Sequence, residues 1–142
     1  MRLFWDTNLF IYLWEQGPNH LVAQRFADWI VTENHQLLTS SLTVGEILVH
    51  PMLRGDSAET ARYQRAFSQL DVVAFDLNAA TRFAALRAES KSLRPPDAIQ
   101  LASAVIAKAD VFVTNDQRLC KIPTGTEMQV LALPQWEILQ SA

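Results

Sequence analysis

The feature that most constrains this chain is its rhythm: short, nearly all-apolar runs recur along it, separated by longer stretches of helical period. Leu3-Phe4-Trp5, Gln36-Leu37-Leu38-Thr39, Val72-Val73-Ala74-Phe75, Val111-Phe112-Val113 and Met128-Gln129-Val130-Leu131 read as buried strands. Between them, Val22, Phe26, Trp29 and Ile30 make a helical apolar stripe behind the turn Gly17-Pro18-Asn19. Tyr63, Phe67 and Leu70 make a second stripe, after Asp56 as N-cap with Glu59 three residues on. Asn78 is expected to cap a third helix carrying Phe83 and Leu86. Pro95-Pro96 opens a fourth, running through Leu101, Ala102 and Val105. Buried strands alternating with helices require a parallel sheet covered on both faces. Right-handed crossovers then narrow the choice to a three-layer α/β/α sandwich. In such sheets ligands bind beyond the carboxyl ends of the strands, where strand order reverses. Chemistry is therefore sought just after each strand.

Composition bounds the function classes. The 142 residues are one domain's worth, residues 1–142, with 49% hydrophobic and 19% charged content, so a sizeable core can form. The single cysteine, Cys120, excludes a disulfide framework and a Cys-based zinc cluster. A net charge of −3 does not suit a protein that coats nucleic acid through bulk charge. The apolar start is broken at once by Asp6-Thr7-Asn8, too soon for a signal-peptide core, and no run approaches the length of a membrane span. The expected setting is soluble, reducing and cytoplasmic, with no membrane partner.

Four acids stand out, at least two of them at strand carboxyl ends, where an α/β sheet concentrates its chemistry. Asp6 follows the first strand and Asp116 follows the fourth, after Thr114-Asn115. Asp97 lies in the first turn of the helix opened by Pro95-Pro96, and Glu46 on the helix after Leu37-Leu38-Thr39. Each has a structural explanation: Asp6 and Asp116 as caps, Asp97 as a partner of the helix dipole, Glu46 as half of a capping box with Thr43. Together, four neighbouring carboxylates would repel by about 3–4 kcal/mol per close pair at an effective dielectric near 20. A divalent cation relieves that repulsion. Oxygen ligands without His or Cys select Mg²⁺ or Mn²⁺, the equipment for hydrolysing a phosphodiester with activated water. On this view, neutralising one acid, as in Asp116→Asn, leaves the metal-free fold unchanged in stability or raises it.

At this point the chain resembles the PIN-domain ribonucleases, and among them the VapC-type toxins of toxin–antitoxin pairs. The resemblance rests on Asp6-Thr7-Asn8 after a short strand, Glu46 in Ser-Leu-Thr-Val-Gly-Glu, Pro96-Asp97-Ala98-Ile99-Gln100-Leu101-Ala102-Ser103-Ala104, and Val113-Thr114-Asn115-Asp116, in that order. It implies a five-stranded parallel sheet and an endoribonuclease. Asp6, Glu46, Asp97 and Asp116 would bind Mg²⁺ or Mn²⁺ and position the attacking water, with Thr7, Asn8 and Thr114 orienting carboxylates or water. It also implies an RNA substrate, a cognate antitoxin and a homodimer. Residues 51–93 match least and are where RNA specificity would lie.

Other features weigh less. His20, His35 and His50 lack metal-ligand spacing, Arg54-Gly55-Asp56 reads as a turn before a helix, and Cys120 as an inert thiol. The four tryptophans read as core, with Trp14 a partial exception. The segment Leu9–Trp14 is apolar nearly all round, which suggests a partner segment that is apolar with a basic tip. Arg87, Lys91 and Arg94 share a face if their helix persists, and with Arg118 and Lys121 would form a phosphate-tracking rim. Among alternatives, an aspartyl phosphatase wants a second Asp where Asn8 stands, and a receiver domain lacks its Thr and Lys partners. A non-catalytic PIN-like scaffold would have no reason to keep four repelling acids.

Overall fold

The computed structural model describes residues 1–142. Five strands, β1 (Arg2–Trp5), β2 (Gln36–Ser40), β3 (Asp71–Val73), β4 (Val111–Thr114) and β5 (Gln129–Ala132), form one parallel sheet. Its order is β3-β2-β1-β4-β5. The connections carry six helices: α1 (Thr7–Trp14), α2 (His20–Thr32), α3 (Ser41–Leu53), α4 (Ser57–Ser68), α5 (Leu77–Glu89) and α6 (Pro95–Ile106). This is the expected α/β/α sandwich with a five-stranded sheet.

Strand alternation builds the two cores. Leu3 and Trp5 of β1, with Val111 and Val113 of β4, face one side, where Phe10, Phe26, Ile47 and Phe67 arrive from α1 to α4. Phe4 and Phe112 face the other, stacked with ring centroids 5.4 Å apart, beneath Leu86, Leu101 and Ala102 of α5 and α6. Each large side chain so buried contributes about 1.5–3 kcal/mol. The three fully buried alanines of α6, Ala98, Ala102 and Ala104, leave its contact face small enough to lie close to the sheet.

Several boundaries differ from expectation, each for a local reason. Asp76 rather than Asn78 caps α5, its carboxylate accepting from the Ala79 amide at 2.9 Å. The third strand begins at Asp71 and ends at Val73, leaving Ala74 and Phe75 exposed. Helix α5 stops at Glu89, so Arg87, Lys91 and Arg94 do not share a helix face, and Arg94 is instead the N-cap of α6. A 3₁₀ segment, Leu133–Ser141, was not legible in advance. It carries Trp136 into the first core, 4.9 Å from Phe26 between ring centroids. Arg54-Gly55-Asp56 is a turn, with Gly55 at φ +66° where a Cβ would be strained. No helix is long and apolar enough to cross a membrane.

Candidate active site

Because β2 and β3 lie on one side of β1, and β4 and β5 on the other, strand order reverses between β1 and β4. The pairing of Trp5 with Val113 sets the next residues, Asp6 and Thr114, side by side at that reversal. The Asp6 amide donates to the Val113 carbonyl at 3.0 Å, so the last ladder bond itself fixes where Asp6 emerges. A cleft of about 740 Å³ opens there, and Asp6, Glu46, Asp97 and Asp116 all line it.

Asp6 is held on both oxygens. Oδ1 accepts from the Thr7 amide at 2.8 Å, capping α1, and Oδ2 accepts from Thr114 Oγ1 at 2.8 Å. Thr114 Oγ1 in turn accepts from the Asp116 amide at 3.0 Å, which ties the two acids through one hydroxyl. Burial drives the Asp6 pKa up to about 6, the Thr114 and Thr7 hydrogen bonds oppose the rise, and the charges of Asp97 and Glu46 add to it.

Glu46 is oriented from beneath by a buried hydroxyl–amide network. A carboxylate only accepts, so Thr7 Oγ1 must donate to Glu46 Oε1, at 3.0 Å. Thr43 Oγ1, 3.0 Å away, must then donate to Thr7. Gln100 Nε2 donates to both hydroxyls, at 3.0 and 2.8 Å, while its Oε1 accepts from Ser40 Oγ at 2.5 Å. Every donor in this cluster has a partner. Ser40, not Thr43, caps α3, accepting from the Thr43 amide at 3.2 Å, so the capping-box explanation of Glu46 does not hold.

The remaining two acids are paired with arginines. Asp97 Oδ2 accepts from Arg94 Nε at 3.0 Å. Asp116 takes the Arg118 guanidinium in a fork, Nη2 to Oδ2 at 2.6 Å and Nε to Oδ1 at 3.0 Å, and its Oδ1 also accepts the Arg118 amide. Hydrogen bonding to Arg118 holds the Asp116 carboxyl below its ordinary pKa. This reverses, for Asp116, the expectation that repulsion makes its charge destabilising. In this arrangement no three carboxylates stand close enough to enclose a metal ion.

Of the other residues singled out, Asn8 lines the cleft without a side-chain hydrogen bond, and Thr7 and Thr114 are buried orienting groups. His50 lines the cleft, whereas His20 donates to the Tyr12 carbonyl and His35 packs on Trp29. Burial pushes the Cys120 thiol up, consistent with an inert role. Residues missed as site components are Ser40, Thr43 and Gln100. Gln100 had one signal, its place a helical turn beyond Asp97 on the same face.

The geometry invites comparison with known proteins. The family model for the PIN domain matches residues 3–125. The chain belongs to the PIN domain family. This PIN domain shares its fold with FitAcB from Neisseria gonorrhoeae, at 17% identity and a TM-score of 0.73, over 94% of this chain and 99% of that one. VapBC2 from Rickettsia felis, bound to a promoter DNA fragment, aligns at 18% identity and a TM-score of 0.71 over 93% and 98%. A toxin–antitoxin complex from Klebsiella pneumoniae is 25% identical, with a TM-score of 0.70 over 92% and 97%. No curated protein matches the chain by sequence.

Proposed function

We propose that this PIN domain is a Mg²⁺- or Mn²⁺-dependent endoribonuclease and the toxin of a toxin–antitoxin pair, acting in the cytoplasm. The observation that carries the reading is the opening of Asp6, Glu46, Asp97 and Asp116 into one cleft at the strand reversal. The donor set fits a hard cation: all oxygen, with Asp6 and Glu46 held by neutral hydroxyls and amides that leave lone pairs free. When bound, such a cation supplies charge neutralisation and acidifies water for attack on a phosphodiester. The chain's own contribution is orientation. Thr114 sets Asp6, Thr7 sets Glu46, and Gln100 fixes Thr7.

The solved toxin–antitoxin complexes with this fold support an antitoxin partner for this chain, and a homodimer is part of the same proposal. Ile11 and Trp14 of the over-apolar α1 line the cleft alongside the acids. That suits an inhibitory segment that is apolar with a basic tip. A second reading has one observation in its favour: Arg94 and Arg118 neutralise part of the acidic cluster, as a non-cleaving RNA- or protein-binding scaffold would require.

Cleavage separates the two. Purified protein should cut structured RNA with Mg²⁺ or Mn²⁺ and stop in EDTA. Asp6→Asn should lower cutting at least about a hundredfold while the circular dichroism spectrum is unchanged. Activity undiminished by EDTA sinks the metal-dependent reading, and no cutting of any RNA by wild-type protein favours the scaffold. Co-expression with the neighbouring open reading frame should yield a stable, inactive complex.

A further inference from the structure

The four cleft acids are not equivalent. Asp6 and Glu46 make no ion pair, and their hydrogen-bond donors are neutral. Asp97 and Asp116 are claimed by guanidinium groups: Arg94 reaches Asp97 at 3.0 Å and Asp116 at 3.7 Å, and Arg118 grips both oxygens of Asp116. Backbone geometry favours this placement. Arg94 precedes Pro95-Pro96, which hold it extended at φ −72°, ψ 149° as the N-cap of α6, and its side chain makes no cap bond. Its guanidinium is thereby free to bridge the first turn of α6 and the end of β4. Arg118 lies two residues beyond Asp116, and its amide binds the same carboxylate its side chain does. Both arginine side chains are more than half exposed, so neither is needed to fill the core.

We propose that Arg118 and Arg94 form an intramolecular latch, resident counter-ions that occupy the Asp97–Asp116 half of the cleft and must be displaced before that half can bind a divalent cation. The proposal rests on the metal-dependent reading above and deepens it. Asp6 and Glu46 stay open to a cation throughout, while Asp97 and Asp116 become ligands only once the guanidinium fork has released. Exposed forks are weak enough to open and strong enough to compete. Binding to a site whose competent state is a minor fraction is weakened by that fraction.

Mn²⁺ titrations by calorimetry on the intact chain test this without recourse to activity. Arg118→Gln should bind Mn²⁺ about fivefold tighter than wild type, corresponding to a latch closed about four-fifths of the time. Removing a positive charge favours any nearby cation, so the deciding comparison is a double-mutant cycle. In the Asp116→Asn background, where the fork has lost its partner, Arg118→Gln should change Mn²⁺ affinity less than twofold. Equal tightening in both backgrounds, or no tightening in either, overturns the latch. If wild type and all variants fail to bind Mn²⁺ at millimolar concentrations, the metal-dependent reading itself falls and the latch with it. Thermal melts in EDTA accompany each titration and verify that the variants are folded.

Discussion

Asp6 gives up its proton reluctantly, because burial strips its carboxylate of water while Asp97 and Glu46 add like charge. The consequence for stability has a definite sign. Folded Asp6 titrates near 6 against an ordinary 3.8, so between those values the folded state holds the extra proton. Stability is therefore lost as pH rises from about 4 to about 6, and the loss is complete above that. The rise corresponds to about 3 kcal/mol. An Asn would forfeit part of it, accepting one hydrogen bond well where the carboxylate accepts two. In EDTA at pH 7, Asp6→Asn should be more stable than wild type by about 1–2 kcal/mol, and at pH 3.5 the gain should vanish. Urea unfolding at the two pH values checks this, and a variant less stable at pH 7 would mean that the hydrogen bonds to the Asp6 carboxylate outweigh the cost of burying its charge. Asp116 has the opposite sign. Its lowered pKa stabilises the fold above the unfolded value and ceases to do so as pH falls through the folded one.

Among the elements, β2, α1, α3 and α6 meet at Ser40, Thr7, Thr43 and Gln100, all buried and mutually hydrogen-bonded. Only the Gln100 side chain hydrogen-bonds the side chains of all the other three. Replacing it with Leu keeps the volume near its own but leaves Ser40 Oγ without an acceptor and Thr43 Oγ1 without a donor, and takes from Thr7 Oγ1 one of its two donors. Gln100→Leu should cost about 2–4 kcal/mol in urea unfolding, more than the loss of one hydrogen bond, because several buried groups are orphaned together. It should also lower RNA cleavage, since Thr7 loses the partner that holds it against Glu46. A loss below about 0.5 kcal/mol would mean that the hydroxyls pair equally well among themselves. This cluster lies directly under the cleft, so the elements that form the site are clamped at the site.

Across the whole molecule, a second clamp lies at the end of the sheet opposite the site. At the amino end, Arg2 donates from Nε and Nη2 to the Ala107 carbonyl at 3.2 and 2.9 Å, and its guanidinium also meets Gln36 and Asp71. One side chain thus ties β1 to β2, β3 and the C-terminal end of α6, where a cation also suits the helix dipole. Arg2→Ala should destabilise by about 1–2 kcal/mol and leave Mn²⁺ affinity unchanged. Thermal melts and calorimetry on one preparation measure both. A change in metal affinity would mean that the two ends communicate through the sheet.

What the sequence determined by itself is whatever short-range pattern controls. Apolar runs of three or four residues between helical stripes admit only a sheet covered on both faces, so the sandwich and the chain order of its strands were legible. So were the positions of Asp6 and Asp116 just past strands and of Asp97 in the first turn of α6. Tertiary structure decided what depends on approach between distant segments. Thr114 reaches Asp6 across 108 residues, and Gln100 reaches Thr7 across 93. No periodicity encodes such pairs, which form only because the parallel register of β1 and β4 and the close seating of α6 bring them together. The same holds for the caps. Asp76 and Asn78 are chemically equal candidates, and Ser40 and Thr43 likewise, and the choice fell to whichever residue stood where the backbone turned into the helix. Whether an acid is left open or latched by an arginine is likewise decided in space, because Coulomb attraction depends on distance and a long exposed side chain can reach several partners from one position.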